Sequence, residues 1–152
     1  MASLEEVRRD LDKDELDYPA LASELGTGAL PHLETLVTED EPRIASKAAY
    51  LAALIAGPTS DQVVGLAARS RHDVVRVAAA AALAALPAEK AGGIGEELLR
   101  DPDVGVRARA AKSAVALNDP ALLELVQTMA EEDTEPSVRE LAAGLAKPQS
   151  SE

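Results

Sequence analysis

Apolar and polar residues alternate along this chain with the spacing of an α-helix, and one stretch of that pattern returns four times. Segments 39–52, 70–84, 101–115 and 133–146 superimpose without gaps. In this superposition Ile44, Val75, Val106 and Val138 form one column, spaced 31, 31 and 32 residues apart. A coincidence this regular indicates an internal repeat with one amphipathic helix in each copy.

Two further columns support the repeat. An alanine pair follows the Val column in every copy and brings small side chains to one face of each helix. The position directly after the Val column is Ala45, Arg76, Arg107 and Arg139. Each copy is preceded by an acidic or polar residue that we interpret as a helix start signal: Glu39, Ser70, Asp101 and Asp133.

A second helix precedes each of these helices. The pattern predicts the first helices at residues 28–37, 60–68, 93–100 and 120–130. The separating breakers are Gly57-Pro58, Pro87 with Gly92-Gly93, and Asn118-Asp119-Pro120. The predicted unit is therefore helix A, a tight turn, helix B and a loop, repeated four times.

The first 27 residues do not match this unit. Leu4, Val7 and Leu11 form one helical stripe, and Leu21 and Leu25 indicate a second short helix that ends at a glycine. A stack of repeats needs its exposed end covered, so we predict a helical cap over 1–27. The four repeats are expected at about 28–57, 58–87, 88–118 and 119–147, and a disordered tail at 148–152.

The pattern D-P-D-x-x-V-R-x-x-A-A-x-A-L, almost intact from Asp101 to Ala114, resembles the HEAT repeat. The short period resembles the compact HEAT-like subclass named after phycobilisome lyase subunits. The resemblance covers residues 28–146, and repeat one departs from it at Ala45. It implies an all-α fold, a right-handed α-α superhelix (HEAT-like solenoid) of four helical hairpins plus N-terminal capping helices.

The resemblance also implies two surfaces. B helices of such a solenoid line its inner face, which is the usual binding surface of this architecture. The Arg column of the family pairs with aspartates in the same or a neighbouring repeat, forming an interior ladder. The candidate acids here, at the start of each B helix, are Asp73, Asp103 and Glu135.

Composition narrows the class of protein. The 152 residues carry a net charge of −12 and include no Cys, no Trp and no Phe. Such a charge argues against a general nucleic-acid binder, and the lack of Cys excludes disulfides and thiolate metal sites. The apolar run from Val77 to Leu86 is too short for a membrane span. The N-terminus has no apolar signal-peptide core, so we expect a cytoplasmic protein. We also expect it to be a monomer.

Charge is unevenly distributed along the chain. Residues 1–41 carry a net −9, residues 42–112 a net +3, and residues 113–152 a net −6. The column after the alanine pair contains Tyr50, Ala81, Lys112 and Gly144. Its residue type differs from repeat to repeat, whereas the residue types of the neighbouring columns stay similar. We predict a partner-binding surface for an acidic peptide or protein, formed by Arg43, Lys47, Tyr50, Arg109 and Lys112. Tyr50 could instead fill a gap beside the cap, and the charges could simply be solvated.

Catalysis and cofactor binding find little support. The only histidines are His32 and His72, which lie in different repeats without Cys, so we expect no metal, no cofactor and no enzyme activity. Gly92, Gly93 and Gly95 could hold an anion before a helix, although an inter-repeat loop is the simpler interpretation.

The sequence therefore predicts a non-catalytic protein–protein interaction adaptor or scaffold that binds a partner through the concave B-helix face. Three alternatives stay open. A bilin lyase or isomerase accessory subunit is implied by the subclass name, and some HEAT-like folds bind nucleic acid. Near-exact, alanine-rich periods also suit an engineered array.

Overall fold

The computed structural model describes residues 1–146, and these residues form ten α-helices and two short 3-10 turns without a strand. Two helices come first, α1 (Leu4–Leu11) and α2 (Tyr18–Leu25). Eight more form four hairpins: α3 (Leu30–Thr38) with α4 (Pro42–Ile55), α5 (Ser60–Ala68) with α6 (Asp73–Ala82), α7 (Ala88–Leu99) with α8 (Val104–Leu117), and α9 (Pro120–Glu132) with α10 (Pro136–Ala146).

The hairpins stack in chain order as two layers. The first helices, α3, α5, α7 and α9, pack against one another in one row, and α4, α6, α8 and α10 form the other. The B row is packed more closely, because it meets through the alanine pairs, which are fully buried at 48–49, 79–80 and 110–111. Closer spacing on one side bends a stack toward that side. The B row thus lies on the inner side, as expected for the predicted α-α superhelix.

One hydrophobic core runs through the whole stack. It begins at Val7 and Leu11 of α1 and ends at Val138 and Ala142 of α10, all 1% exposed or less. Among residues 1–146, Ser113 carries the only buried hydroxyl between B helices. Its Oγ donates a hydrogen bond to the carbonyl of Ala80 at 2.6 Å. A hairpin of this size cannot bury its apolar face alone, so stability comes from stacking.

The acidic column at the A–B turns has a role other than the one predicted. Asp101 and Asp133 are not helix N-caps, because each lies three residues before the first residue of its B helix. Asp101 Oδ1 accepts a hydrogen bond from the backbone N–H of Asp103 at 2.9 Å, and Asp133 does the same for Glu135. The N-cap of α8 is Asp103, whose carboxylate accepts from Val106 N at 3.0 Å. The column therefore closes the turn.

Helix α7 begins at Ala88, and the prediction of a start at Gly93 was wrong. Gly92, Gly93 and Gly95 lie inside the helix, so they form neither an inter-repeat loop nor an anion site. A Cβ at Gly95 would lie 3.1 Å from a methyl of Leu122, which shows that the glycine admits that side chain from α9. Packing between neighbouring repeats here outweighs the low helix propensity of glycine.

The N-terminal segment covers the first hairpin. Asp17 caps α2, and α2 ends at Gly26, whose φ of 64° lies in the left-handed region that glycine accepts without strain. The expected tail at 148–152 lies outside the described residues. Over residues 1–146, no helix combines the length and the apolarity that crossing a bilayer requires.

Candidate partner-binding surface

One face of the B row is not covered by other parts of residues 1–146. We call it the inner surface. Its positions follow one helical face, which flanks the alanine pair of each B helix. It comprises Val74, Val77, Ala78 and Ala81 of α6, Ala108, Arg109, Lys112 and Ala116 of α8, and Glu140, Leu141 and Gly144 of α10.

The α6 part of the inner surface is apolar. Val74 is 53% exposed, a high value for a Val at a helix start, and Val77 and Ala81 beside it are partly exposed. Single exposed apolar residues are ordinary on protein surfaces, but a whole helix face without a polar side chain is less so. This strip can therefore bury a partner's apolar side chains.

The α8 part is basic. Arg109 and Lys112 lie three residues apart on one helical face and are both exposed. Neither forms a hydrogen bond or ion pair within the described part of the chain, whereas most other basic side chains there do. Two such cations beside an apolar strip form a potential attractive to a carboxylate.

Arg43 and Lys47 are engaged with the N-terminal segment. Arg43 binds the carboxylate of Asp12 and donates from Nη2 to the Asp12 carbonyl at 3.0 Å. Lys47 Nζ donates to the carbonyls of Leu11 and Lys13 at 3.0 and 2.7 Å, which are acceptors at the C-terminal end of α1. Both cations therefore hold α1 and the following loop in place.

Tyr50 also faces the N-terminal segment. Its ring meets that of Tyr18 edge to face, with centroids 5.0 Å apart and planes at 83°. Burial raises the pKa of Tyr18, and the neighbouring Tyr50 adds to the increase. The contact favours the interpretation in which Tyr50 fills a gap beside the cap. The five predicted residues therefore form two groups, three against the N-terminal segment and two free on α8.

The Arg column forms a ladder between consecutive repeats. Arg76 Nε donates to Asp101 Oδ2 at 2.9 Å, and its Nη1 donates to the Ser70 carbonyl at 2.9 Å. The side chains of Arg76 and Asp101 are 17% and 7% exposed, so solvent screens this pair little.

Arg107 repeats the arrangement one hairpin later. Its Nε and Nη2 donate to the two oxygens of Asp133 at 2.9 and 3.0 Å, and Nη1 donates to the Asp101 carbonyl at 2.9 Å. Burial on its own would raise the pKa of Asp133. The hydrogen bonds from Arg107 and from the Glu135 N–H outweigh it, and the pKa is lowered.

The predicted ladder is thus present, but its acids were assigned wrongly. Each arginine binds the carboxylate at the A–B turn of the next repeat, 25 or 26 residues further on. The acids near the start of the B helices were the expected partners, and they bind none of these arginines: Asp73, Asp103 and Glu135.

The ladder begins with a pair that sequence reasoning missed. Arg8 of α1 donates through Nη1 and Nη2 to both carboxylate oxygens of Glu39, the acid of the first A–B turn. The signal in the sequence was the dipeptide Val7-Arg8, which repeats the Val-Arg columns. The ladder has no ion pair between repeats one and two, because both partners are replaced. Ala45 stands in the arginine column and Ser70 in the acid column.

The histidines are engaged locally. His72 Nε2 lies 2.7 Å from an oxygen of Asp40, which also binds Arg71, and hydrogen bonds from Arg71 and then His72 lower the pKa of Asp40. His32 Nε2 lies 3.1 Å from the Ala2 carbonyl. A groove of about 510 Å³ adjoins His72 at the turn edge, away from the inner surface. Within residues 1–146 no cluster of three possible metal ligands occurs.

One stack of helical hairpins, with its A helices in one row and its B helices in the other, defines an α-solenoid. The buried arginine–acid ladder joins the second hairpin to the third and the third to the fourth. The HEAT repeat model matches residues 60–146, more than half of the chain, so the chain belongs to the HEAT repeat family. Among solved structures it is similar to a chain in the complex of CpcE and CpcF of phycocyanin lyase from Nostoc sp. PCC7120. The TM-score is 0.69 at 20% identity, over 85% of this chain and 86% of that one. No curated protein sequence matches.

Proposed function

We propose that the chain is a non-catalytic protein-binding module that holds an acidic partner segment on its inner surface. The observation that carries the proposal is the pair of free cations, Arg109 and Lys112, beside the apolar face of α6 in a protein of net charge −12. The site is thus narrower than the five residues predicted, because Arg43, Lys47 and Tyr50 already bind the N-terminal segment.

The charge around the inner surface favours one orientation of the partner. The loop after α1 places Asp12 and Asp14 beside Arg43 of α4, so the charges on that side of the surface are already paired. The α8 part keeps two cations that no acid within residues 1–146 pairs with. A partner helix with apolar residues at helical spacing and acidic residues at one end would match both regions, since complementary charge fixes register and speeds association.

The comparison with known structures agrees with a protein partner. The similar chain was solved as a complex of two subunits, so a HEAT-like chain of this size can act as part of a protein assembly. On this account the module works as a cytoplasmic monomer that joins one partner, with no role for nucleic acid, metal or cofactor.

Charge reversal on α8 tests the proposal. The variant Arg109→Glu/Lys112→Glu should reduce capture of partners from source-cell extract at least tenfold, because two attractive contacts become repulsive. The matched control is Arg69→Glu/Arg100→Glu, which changes the net charge equally at exposed positions on A-helix ends. Quantitative mass spectrometry compares the recovered proteins. Equal recovery by the α8 variant and the wild type would contradict the proposal.

A second candidate is a bilin lyase-type accessory subunit, favoured by the fold shared with a phycocyanin lyase chain over 85% of this protein. A tetrapyrrole site would draw on aromatic or imidazole side chains, and Tyr18, Tyr50, His32 and His72 are all engaged in contacts of their own. Titration with phycocyanobilin separates the two candidates. A specific absorbance shift that Val74→Asp abolishes would support the lyase role, and an unchanged spectrum would support the adaptor.

A further inference from the structure

The last arginine of the ladder has only half of the contacts that its counterparts make. Arg139 Nη1 donates to the Asp133 carbonyl at 2.6 Å, as Arg76 and Arg107 do to the corresponding carbonyls of their own turns. The other two each bind a carboxylate of the following repeat as well. In the described 146 residues, no carboxylate takes that place beside Arg139.

The packing columns show the same incompleteness. Ala49, Ala80 and Ala111 are each fully buried by the next B helix, while their counterpart Ala143 is exposed. Leu145 is partly exposed, and its counterpart Leu51 is fully buried.

The A row repeats this difference. Val37, Ala68 and Leu99 are 7% exposed or less, whereas Ala130 at the same position of α9 is partly exposed. We call the side of α9 and α10 that carries Ala130, Arg139, Ala143 and Leu145 the end face.

We propose that the end face is a docking surface for a helical hairpin of the same repeat type from outside residues 1–152, whose A–B turn acid binds Arg139. Two features define this occupant. The small side chains on α10 admit a second helix at the close spacing found between B helices. The Arg139 guanidinium then requires a carboxylate, placed as Asp101 is beside Arg76 and as Asp133 is beside Arg107.

A second copy of this chain does not supply that acid. The equivalent residue of its first turn is Glu39, and Arg8 of its own α1 already binds both carboxylate oxygens. The N-terminal segment thus closes one end of the stack against head-to-tail association of identical chains, which would otherwise extend without limit. The hairpin at the end face therefore does not come from a second copy of residues 1–152, and the acid of its A–B turn is not already bound by an arginine.

An extended protein tests the fit with a defined probe. Residues 147–152 are replaced by a second copy of residues 115–146, which restores the separation of 26 residues between Arg139 and the copied acid. A protease site in the copied Asn118-Asp119 loop then converts the added hairpin into a separate chain after folding. Size-exclusion chromatography measures whether the cut hairpin stays bound.

The proposal predicts co-elution of the cut hairpin with the body of the protein. Arg139→Glu should increase the released fraction at least tenfold, and Asp133→Arg in the copied hairpin should restore binding to that variant. Release from the unsubstituted body, or equal retention by the Arg139→Glu body, would overturn the proposal.

The uncut proteins show whether each variant folds, since every one of them should retain a single thermal transition. A further measurement uses the chain without the added hairpin. If removal of residues 147–152 lowers its melting temperature and abolishes the effect of Arg139→Ala, the chain's own tail occupies the end face, and the proposal is wrong.

Discussion

The ladder makes a quantitative prediction for Arg107. The substitution Arg107→Met keeps the aliphatic stem and removes the guanidinium, leaving the Asp133 carboxylate with 6% exposure and without the cation that binds both of its oxygens. Removal of one partner from a buried ion pair costs roughly 3–5 kcal/mol. Arg107 is itself 12% exposed, so water replaces part of what is lost. We expect a decrease of about 3 kcal/mol in the free energy of unfolding at neutral pH.

Urea denaturation followed by circular dichroism measures this change. The double variant Arg107→Met/Asp133→Ala should lose less than the sum of the single losses by about 1–3 kcal/mol, because the pair acts as a unit. The matched control is Arg100→Met, which breaks an exposed ion pair with Glu96 and should cost under about 0.5 kcal/mol. A loss below about 1 kcal/mol for Arg107→Met, or strict additivity in the cycle, would refute the buried ladder.

Lowering the pH should remove the stabilisation that the Arg107–Asp133 pair provides. The pKa of Asp133 is lower in the folded chain than its ordinary value of 3.8, so the unfolded state binds its proton first as the pH falls. The stabilisation is complete above pH 3.8 and decreases as the pH falls through the folded-state pKa. In Arg107→Met the remaining burial raises the pKa of Asp133, so the difference in stability between wild type and variant should be largest at neutral pH and shrink as the pH falls into the acidic range.

Three smaller predictions concern single positions. Ala56 ends α4 with φ 55°, so Ala56→Gly should raise the free energy of unfolding by about 1 kcal/mol in urea titrations, and Asn118→Gly, at φ 54°, should gain less. Lys47→Met should speed amide hydrogen exchange in α1 while exchange in α8 stays unchanged, because the lost bonds hold only the N-terminal segment. Gly95→Val should lower the melting temperature by several degrees, since its side chain would displace Leu122; an unchanged melting temperature would contradict this packing.

The repeat was predictable because packing imposes the same residue type at the same position of each hairpin. The prediction of a helix at 60–68 agrees with α5, and the Val and Ala columns are buried in every copy except at the end face. Such positions face an identical environment in each repeat, so a single sequence contains several instances of the same constraint.

Contacts between repeats were harder to predict. The ladder acids were assigned to Asp103 and its equivalents because these lie near the arginines in sequence, whereas the bound acid is Asp133, 26 residues further on. Glycine in α7 was taken as a breaker, because its low helix propensity is visible in the sequence and its contact with Leu122 is not. Helical periodicity describes one helix at a time, and both errors concern contacts between helices.

The candidate site was predicted in part for a related reason. Tyr50 and Lys112 occupy one column of the repeat, but the N-terminal segment lies opposite Tyr50 and not opposite Lys112. The N-terminal segment covers α4 and leaves α8 exposed, and nothing in the repeat pattern shows where a non-repeating segment will lie. Charge and column position identified the candidate cations. The position of the N-terminal segment determines which of them remain free to bind a partner.

Photo-crosslinking tests most directly whether the inner surface binds the partner. A photoreactive amino acid is placed at Ala116, which is exposed on the α8 part of that surface, or at Gln127, which is exposed on the A helix α9. We expect a crosslinked partner from position 116, lost on Arg109→Glu/Lys112→Glu, and little or none from position 127. The same partner crosslinked at 127 and not at 116 would show that the opposite side of the stack is the binding surface.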